Sequence, residues 1–206
     1  MSLTRMKGRL QGYTGQGETY ECQDLRSGNA FGAVFSGCKF DRCKMALFSL
    51  QQASLSDVVF ENCTMSVVNM TLLRNMRNVV FDRCDLEQAD FTGSYMDGVS
   101  FRDSRLWGAK FFGVTAKEVR FDGSNLHGAD LRYHIAPNVA YADSNLWGAH
   151  VALGCTFFDS TFDERSCKQF IAFMARIYPN EDVRARLTQI AGDQFPVVDR
   201  LMREAL

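Results

Sequence analysis

VVFDRCDLEQADFTGSYMDGVSFRDSRLWGAKFFGVTAKEVRFDGSNLHGADLRYHIAPNVAYADSNLWGAHV, the stretch Val79–Val151, repeats a small residue and then a bulky one every fifth position. The bulky series runs Phe81, Leu86, Phe91, Met96, Phe101, Leu106, Phe111, Ala116, Phe121, Leu126, Leu131, Ala136, Tyr141, Leu146 and Val151. Two residues ahead of each bulky residue stands a small or compactly β-branched one, with His134 as the exception. A helix would space its apolar residues three and four apart and a strand two apart. Here the inward pair is separated by two and recurs after five, so each unit is a short extended piece followed by a corner.

Glycine occupies the corner in Gly93, Gly98, Gly108, Gly113, Gly123, Gly128 and Gly148, where a positive φ is cheap only without a Cβ. A second period of twenty relates Ser104–Ala109, Ser124–Ala129 and Ser144–Ala149, which share Ser, any, Leu, aromatic, Gly, Ala. Four corners therefore close one coil, and residues twenty apart stack. The inward set includes Phe81, Phe91, Phe101, Phe111, Phe121, Leu126, Leu131 and Leu146 as the structural core.

These units resemble the pentapeptide-repeat family, whose motif is Ala, Asp or Asn, Leu and two variable residues. The best matches are Ala89-Asp90-Phe91-Thr92-Gly93, Ser124-Asn125-Leu126-His127-Gly128, Ala129-Asp130-Leu131-Arg132-Tyr133 and Ser144-Asn145-Leu146-Trp147-Gly148. The resemblance implies an all-β solenoid, a right-handed quadrilateral β-helix of about six to seven coils, which at a strand spacing of about 4.8 Å is roughly 30 Å long.

Three segments follow: 1–29 as a glycine-rich cover for the first coil, 30–162 as the solenoid, and 163–206 as a small α-helical segment. Tyr20 and Leu25 already stand in register with the coils. The bulky series slips by one between Met70 and Met76, so Thr71–Asn75 holds one extra residue as a bulge, and it slips again near Cys155. After Asp163 the period becomes helical. Phe170, Phe173, Met174 and Ile177 share one face up to Pro179; Val183, Leu187 and Ile190 share the next; Val198, Leu201, Met202 and Leu206 form the third. Such short helices need a partner surface. They cap the last coil, pair two subunits into a homodimer, or do both.

The chain has 206 residues, a formal net charge of -1 and a pI near 6.3, which gives no global attraction to nucleic acid or to an anionic membrane. With no secretory leader or spanning apolar run in view, a cytoplasmic location is expected. Of the seven cysteines, Cys38, Cys43, Cys63, Cys84 and Cys155 fall in the small inward position, which reads as reduced core thiols rather than disulfides or zinc ligands. No metal and no cofactor is expected.

The candidate binding surface is an outward column, Trp107, His127 and Trp147, with Phe112, Tyr133 and Leu153 around the adjoining corner. Stacked exposed aromatics mark a contact surface, open either to a partner or to the C-terminal helices. Lys110, Asp130 and His150 share a column that reads as an ion-pair ladder rather than acid–base machinery. Inward rings from four sides leave no room for an interior active site, and no nucleophile or phosphate-loop motif is present. The expected role is a non-enzymatic scaffold for a protein partner, without direct nucleic-acid or membrane binding.

The resemblance implies an alternative, since family members that mimic B-DNA occupy the DNA site of gyrase and reduce quinolone action. The acidic column for it would be Asp41, Glu61, Asp82 and Asp122, but Arg102 interrupts it, and Ala30–Asp163 carries 15 acids against 12 bases. An enzyme or effector activity at the helical end is the third reading, with no motif behind it.

Overall fold

The computed structural model describes residues 9–132, 139–150 and, by backbone alone, 161–162. The chain is a parallel, right-handed, quadrilateral β-solenoid of about six turns. Wall 1 is a six-stranded sheet of β1 (Thr14–Gln16), β3 (Val34–Ser36), β5 (Ser54–Ser56), β7 (Asn75–Arg77), β9 (Tyr95–Asp97) and β11 (Thr115–Lys117). Wall 2 is an eight-stranded sheet of β2 (Thr19–Glu21), β4 (Lys39–Asp41), β6 (Val59–Glu61), β8 (Val80–Asp82), β10 (Ser100–Arg102), β12 (Arg120–Asp122), β13 (Ala140–Ala142) and β14 (Thr161–Phe162).

Walls 3 and 4 are joined by single bridges, Asp24 through Lys44, Thr64, Asp85, Arg105 and Asn125 to Asn145, and Arg9 through Asn29, Ser49, Asn69, Asp90, Lys110 and Asp130 to His150. Corners after walls 3 and 4 close with an i+3 N–H donating to the carbonyl of residue i, as from Ala109 to Leu106 at 3.0 Å and from Ala33 to Ala30 at 3.0 Å. Among the described residues no helix is long and apolar enough to cross a membrane.

Register follows the period of twenty, with Phe101 opposite both Phe81 and Phe121. The extra residue expected in Thr71–Asn75 is present: Leu55 pairs Met76 rather than residue 75, while Leu73 keeps the buried inward place. Ser94 Oγ accepts the Leu73 amide at 2.9 Å and donates to the Met70 carbonyl at 2.8 Å, which bridges the bulge from the next coil. The second slip falls before β14, where Tyr141 pairs Phe162. The stack begins earlier than expected, because residues 9–29, read from sequence as a cover, already carry β1 and β2 paired to the next coil. The helices expected after Asp163 lie outside the described residues.

The core is a set of ring columns. On wall 2, Tyr20, Phe40, Phe60, Phe81, Phe101, Phe121 and Tyr141 stack at centroid separations of 4.8 to 5.2 Å. Phe91 and Phe111 stack on opposite wall 4 at 5.0 Å and meet Phe101 edge-on at 5.7 and 6.0 Å. Phe81, Phe91, Phe101, Phe111, Phe121, Leu126, Leu131 and Leu146 are all buried. Edge-to-face and offset contacts between rings add to area burial, so the interior is filled from both sides.

The small inward residues form a second ladder. Sγ of Cys43, Cys63 and Cys84 donates to the carbonyls of Tyr20 (3.2 Å), Phe40 (3.4 Å) and Phe60 (3.3 Å) one coil back. The hydroxyls of Ser104 and Ser124 continue the pattern to Phe81 and Phe101, both at 3.2 Å, and Ser144 to Phe121. The neighbouring Cys63 and then burial push the Cys43 thiol far above its ordinary range, so it is a hydrogen-bond donor and not a nucleophile.

The first coil departs from the apolar interior. Glu18 takes a small inward position, and the hydroxyls of Tyr13 (2.9 Å) and Tyr20 both donate to its carboxylate. The room comes from Gly15, where a Cβ would meet Tyr20 Oη at 2.8 Å and Phe35 Cδ1 at 3.1 Å. The Tyr20 bond holds the Glu18 carboxyl below its ordinary range against desolvation, with Tyr13 assisting. A folded-state pKa below the unfolded value stabilises the fold above about pH 4.3, and that contribution is lost as pH falls through the lowered value. Glu18→Gln is therefore expected to lower the melting temperature at pH 7, with the gap to the parent narrowing as pH falls below about 4.3; a gap that does not change with pH would remove the carboxylate from this role.

Candidate binding surface

The corner between walls 3 and 4 carries two outward columns. One column follows each inward residue of wall 3: Arg26, Ala46, Ser66, Glu87, Trp107, His127 and Trp147. Its neighbour holds Ser27, Leu47, Val67, Gln88, Gly108, Gly128 and Gly148. Trp107 is 42% and Trp147 58% exposed, with His127 half-buried between them.

Local sequence explains why these rings stand here. A Cβ at Gly128 would lie 3.9 Å from Trp107 Nε1, and one at Gly148 would lie 3.7 Å from His127 Cε1. Each ring thus leans along the solenoid over the glycine of the following coil. The backbone is held from two residues upstream, where Asn125 Oδ1 accepts the His127 amide and Asn145 Oδ1 the Trp147 amide, both at 3.1 Å. Asn145 Nδ2 donates to Asn125 Oδ1 at 3.0 Å, which ties the two turns together. Side-chain-to-backbone bonds of this kind stabilise turns at the expense of helix or ladder.

Phe112 belongs to the next corner, between walls 4 and 1, and is 40% exposed. The Arg132 guanidinium lies 5.8 Å from its ring centroid and also pairs with Asp130 at 2.7 Å. That pair holds the Asp130 carboxyl below its ordinary range. The column through Lys110, Asp130 and His150 is real as a register, but the ion pair of Lys110 goes to Asp90 at 3.5 Å. Tyr133, His134 and Leu153 lie outside the described residues.

The acidic column on wall 2 is laced with cations. Glu61 pairs with Lys39 at 2.6 Å and Arg83 at 2.7 Å; Arg83 also reaches Asp82 at 3.4 Å, and Arg42 pairs with Asp41 at 3.0 Å. Arg102 then separates these residues from Asp122 in the same strand register. Among the described residues no cluster of His, Cys, Asp and Glu is arranged to hold a metal ion.

Sequence reasoning missed the aliphatic part of the corner. Leu47 (φ 59°) and Val67 (φ 55°) sit in the left-handed region and are 59% and 46% exposed. Such a φ disfavours L-residues, and a β-branched one most of all. Their signal was the break in polarity in a corner column that otherwise holds glycine or a polar residue, as at Ser27, Gln88 and Gly108.

Comparison with known proteins places these features. A family profile described as "Pentapeptide repeat region" matches residues 33–111, and one described as "Pentapeptide repeats (8 copies)" matches residues 100–132. Among solved structures, a trypsin-treated variant of QnrB1, a plasmid-mediated fluoroquinolone resistance protein, is 25% identical, with 73% of this chain and 70% of that one covered at a TM-score of 0.50. The pentapeptide repeat protein Rfr23 from the cyanobacterium Cyanothece 51142 is 13% identical, with 79% of this chain and 97% of that one covered at a TM-score of 0.34. No curated protein matches the chain.

Proposed function

The chain belongs to the pentapeptide-repeat family, and from that premise we propose that it is a rigid, non-enzymatic scaffold that binds another protein along the corner between walls 3 and 4. The observation that supports this most is the pair of exposed indoles, Trp107 and Trp147, held in one column by glycine floors and asparagine-anchored turns. Exposed aromatics on a stiff frame give large contact area at small ordering cost, which is why Trp is enriched among binding hot spots. The walls supply flat faces, and the filled interior supports a role on the outside rather than within. Thiols used as hydrogen-bond donors at Cys43, Cys63 and Cys84 fit a reducing, cytoplasmic setting.

Affinity capture from the source lysate tests the reading. The parent is expected to retain a specific protein that Trp107→Ala/Trp147→Ala loses, while both give the same thermal melt. Equal retention by parent and variant would remove the corner from binding.

The likeness to QnrB1 supports a second reading, in which the chain modulates quinolone sensitivity through gyrase. Ion pairing of Asp41, Glu61 and Asp82 with Lys39, Arg42 and Arg83 weighs against charge mimicry as its basis. A quinolone inhibitory concentration that does not move when the chain is expressed in a sensitive bacterium would set this second reading aside.

A further inference from the structure

The exposed aromatics of the corner between walls 3 and 4 are confined to three successive coils. Earlier in the column stand Ala46, Ser66 and Glu87, and then come Trp107, His127 and Trp147. Trp107 and Trp147 are exposed whereas His127 between them is half-buried, so two indole ridges flank a lower imidazole floor. Two coils separate the ridges, about 9.6 Å at the strand spacing.

That interval selects a backbone conformation for whatever lies along the stripe. An extended strand returns to the same face about every 6.8 Å, which matches neither one coil nor two. An α-helix completes a turn in about 5.4 Å and would set a side chain over the floor as well as over each ridge. Polyproline II, with three residues per turn at about 3.1 Å each, returns after about 9.3 Å. Residues three apart in such a chain meet the two indoles and leave the floor clear.

Hydrogen-bonding capacity selects the same chain. Among the described residues neither Trp107 Nε1 nor Trp147 Nε1 has a hydrogen-bond partner, and an indole offers only a donor. Asn125 Oδ1 is already used by the His127 amide at 3.1 Å and by Asn145 Nδ2 at 3.0 Å, which leaves Asn125 Nδ2 to donate outward. Three donors therefore line the stripe. Proline carries a carbonyl and no N–H, and in polyproline II the carbonyls have no partner within the chain. A helix has already spent its carbonyls on its own amides.

We propose that the stripe binds a proline-rich segment of another protein in the polyproline II conformation, with prolines three residues apart on Trp107 and Trp147. This rests on the binding role assigned to the corner above and gives the chemistry of its partner. Flat indole faces receive the pyrrolidine rings, and the carbonyls beside them accept from the two indoles and Asn125 Nδ2. The flanks agree in charge, since Asn125 and Asn145 on one side and Gly108, Gly128 and Gly148 on the other are all uncharged. A segment of this kind is ordered before it binds, so a rigid frame holds it at small entropic cost. It comes from another protein, because the prolines of this chain stand singly at Pro137, Pro179 and Pro196.

Fluorescence anisotropy of a labelled decaproline peptide titrated with the full chain is the test, with a Gly-Ser peptide of equal length alongside. The parent is expected to bind decaproline and to leave the Gly-Ser peptide free. Trp107→Ala and Trp147→Ala are each expected to weaken binding by about tenfold or more without moving the thermal melt. Asn125→Asp keeps Oδ1 for the His127 amide, as Asp85 Oδ1 does for the Glu87 amide at 3.3 Å, but removes the donor. It is expected to weaken binding by about threefold or more, again with the parent's melt.

Decaproline left unbound, equal binding of the two peptides, or an affinity that neither tryptophan variant lowers overturns the proposal. An affinity unchanged in Asn125→Asp overturns it too, since the donors are what single out proline among apolar chains. A chain that ignores decaproline, yet loses a captured protein in Trp107→Ala/Trp147→Ala, excludes the proline-rich partner and leaves the binding role standing. Absence of both peptide binding and capture sinks both.

Discussion

Phe101→Ala is expected to destabilise the solenoid by about 3–5 kcal/mol, the range for removing a well-packed buried ring. Phe101 is fully buried, stacked between Phe81 at 5.0 Å and Phe121 at 4.9 Å, and touched edge-on by Phe91 and Phe111 from the opposite wall. Removing it deletes two stacked and two edge-to-face contacts, and the neighbours cannot collapse into the gap because each is fixed by its own coil. For a domain of this size the melting temperature should fall by roughly 6–20 °C.

In a solenoid each coil contacts only its neighbours. A central cavity therefore weakens the coupling between the two halves as well as total stability, and the transition should broaden. Phe112→Ala, at the exposed exit corner of the same coil, is the control and should shift stability by no more than about 1 kcal/mol. A circular-dichroism melt of Phe101→Ala that overlays the parent would take the ring out of the stack.

Ser104→Ala is expected to cost about 1–3 kcal/mol although it removes a single oxygen. Ser104 Oγ accepts the Cys84 amide of the previous coil at 3.1 Å, and its one proton lies between the Arg102 carbonyl of its own coil at 2.8 Å and the Phe81 carbonyl at 3.2 Å. The buried Cys84 amide, left without its acceptor, costs about 1–3 kcal/mol. Ser104→Cys keeps a donor of the type already used at Cys84, whose Sγ reaches the Phe60 carbonyl at 3.3 Å, so it should recover at least half of the loss. Equilibrium urea unfolding of both variants separates the outcomes: if alanine and cysteine behave alike, the hydroxyl ladder contributes packing only.

Both predictions concern features that a reader of the sequence sees unequally. The ring columns follow directly from the period of twenty, because residues at that spacing must stack once four corners close a coil. The one-residue slip before Met76 was visible for the same reason, since any offset in a strict repeat has to be absorbed somewhere. Stitching by Cys43, Cys63, Cys84, Ser104 and Ser124 was not visible. The sequence shows that these residues are small, but not that their polar atoms reach carbonyls one coil back. The first coil was missed because Tyr13, Glu18 and Gln23 replace small inward residues there, so the apolar pattern fails even though the backbone period continues.

At the surface the tryptophan column was legible, and the exposure of Leu47 and Val67 was not. Position alone assigns a residue to a corner, and a leucine there reads as an irregularity. Only the backbone angle and exposure reveal an aliphatic side chain kept outward in the left-handed region. The acidic column shows the converse: sequence placed Asp41, Glu61 and Asp82 in line, and the ion pairs of Lys39, Arg42 and Arg83 depend on side-chain reach across neighbouring coils.

The amino-acid sequence by itself determined the coil, its four walls and the inward residues, because a five-residue period with one small and one bulky member has a single compact solution. Tertiary structure decided which polar atoms satisfy one another between coils, where the stack begins, and which corner side chains stay exposed. Those outcomes rest on contacts between residues twenty or more apart and on backbone angles at individual corners, and neither is a property of any five-residue unit.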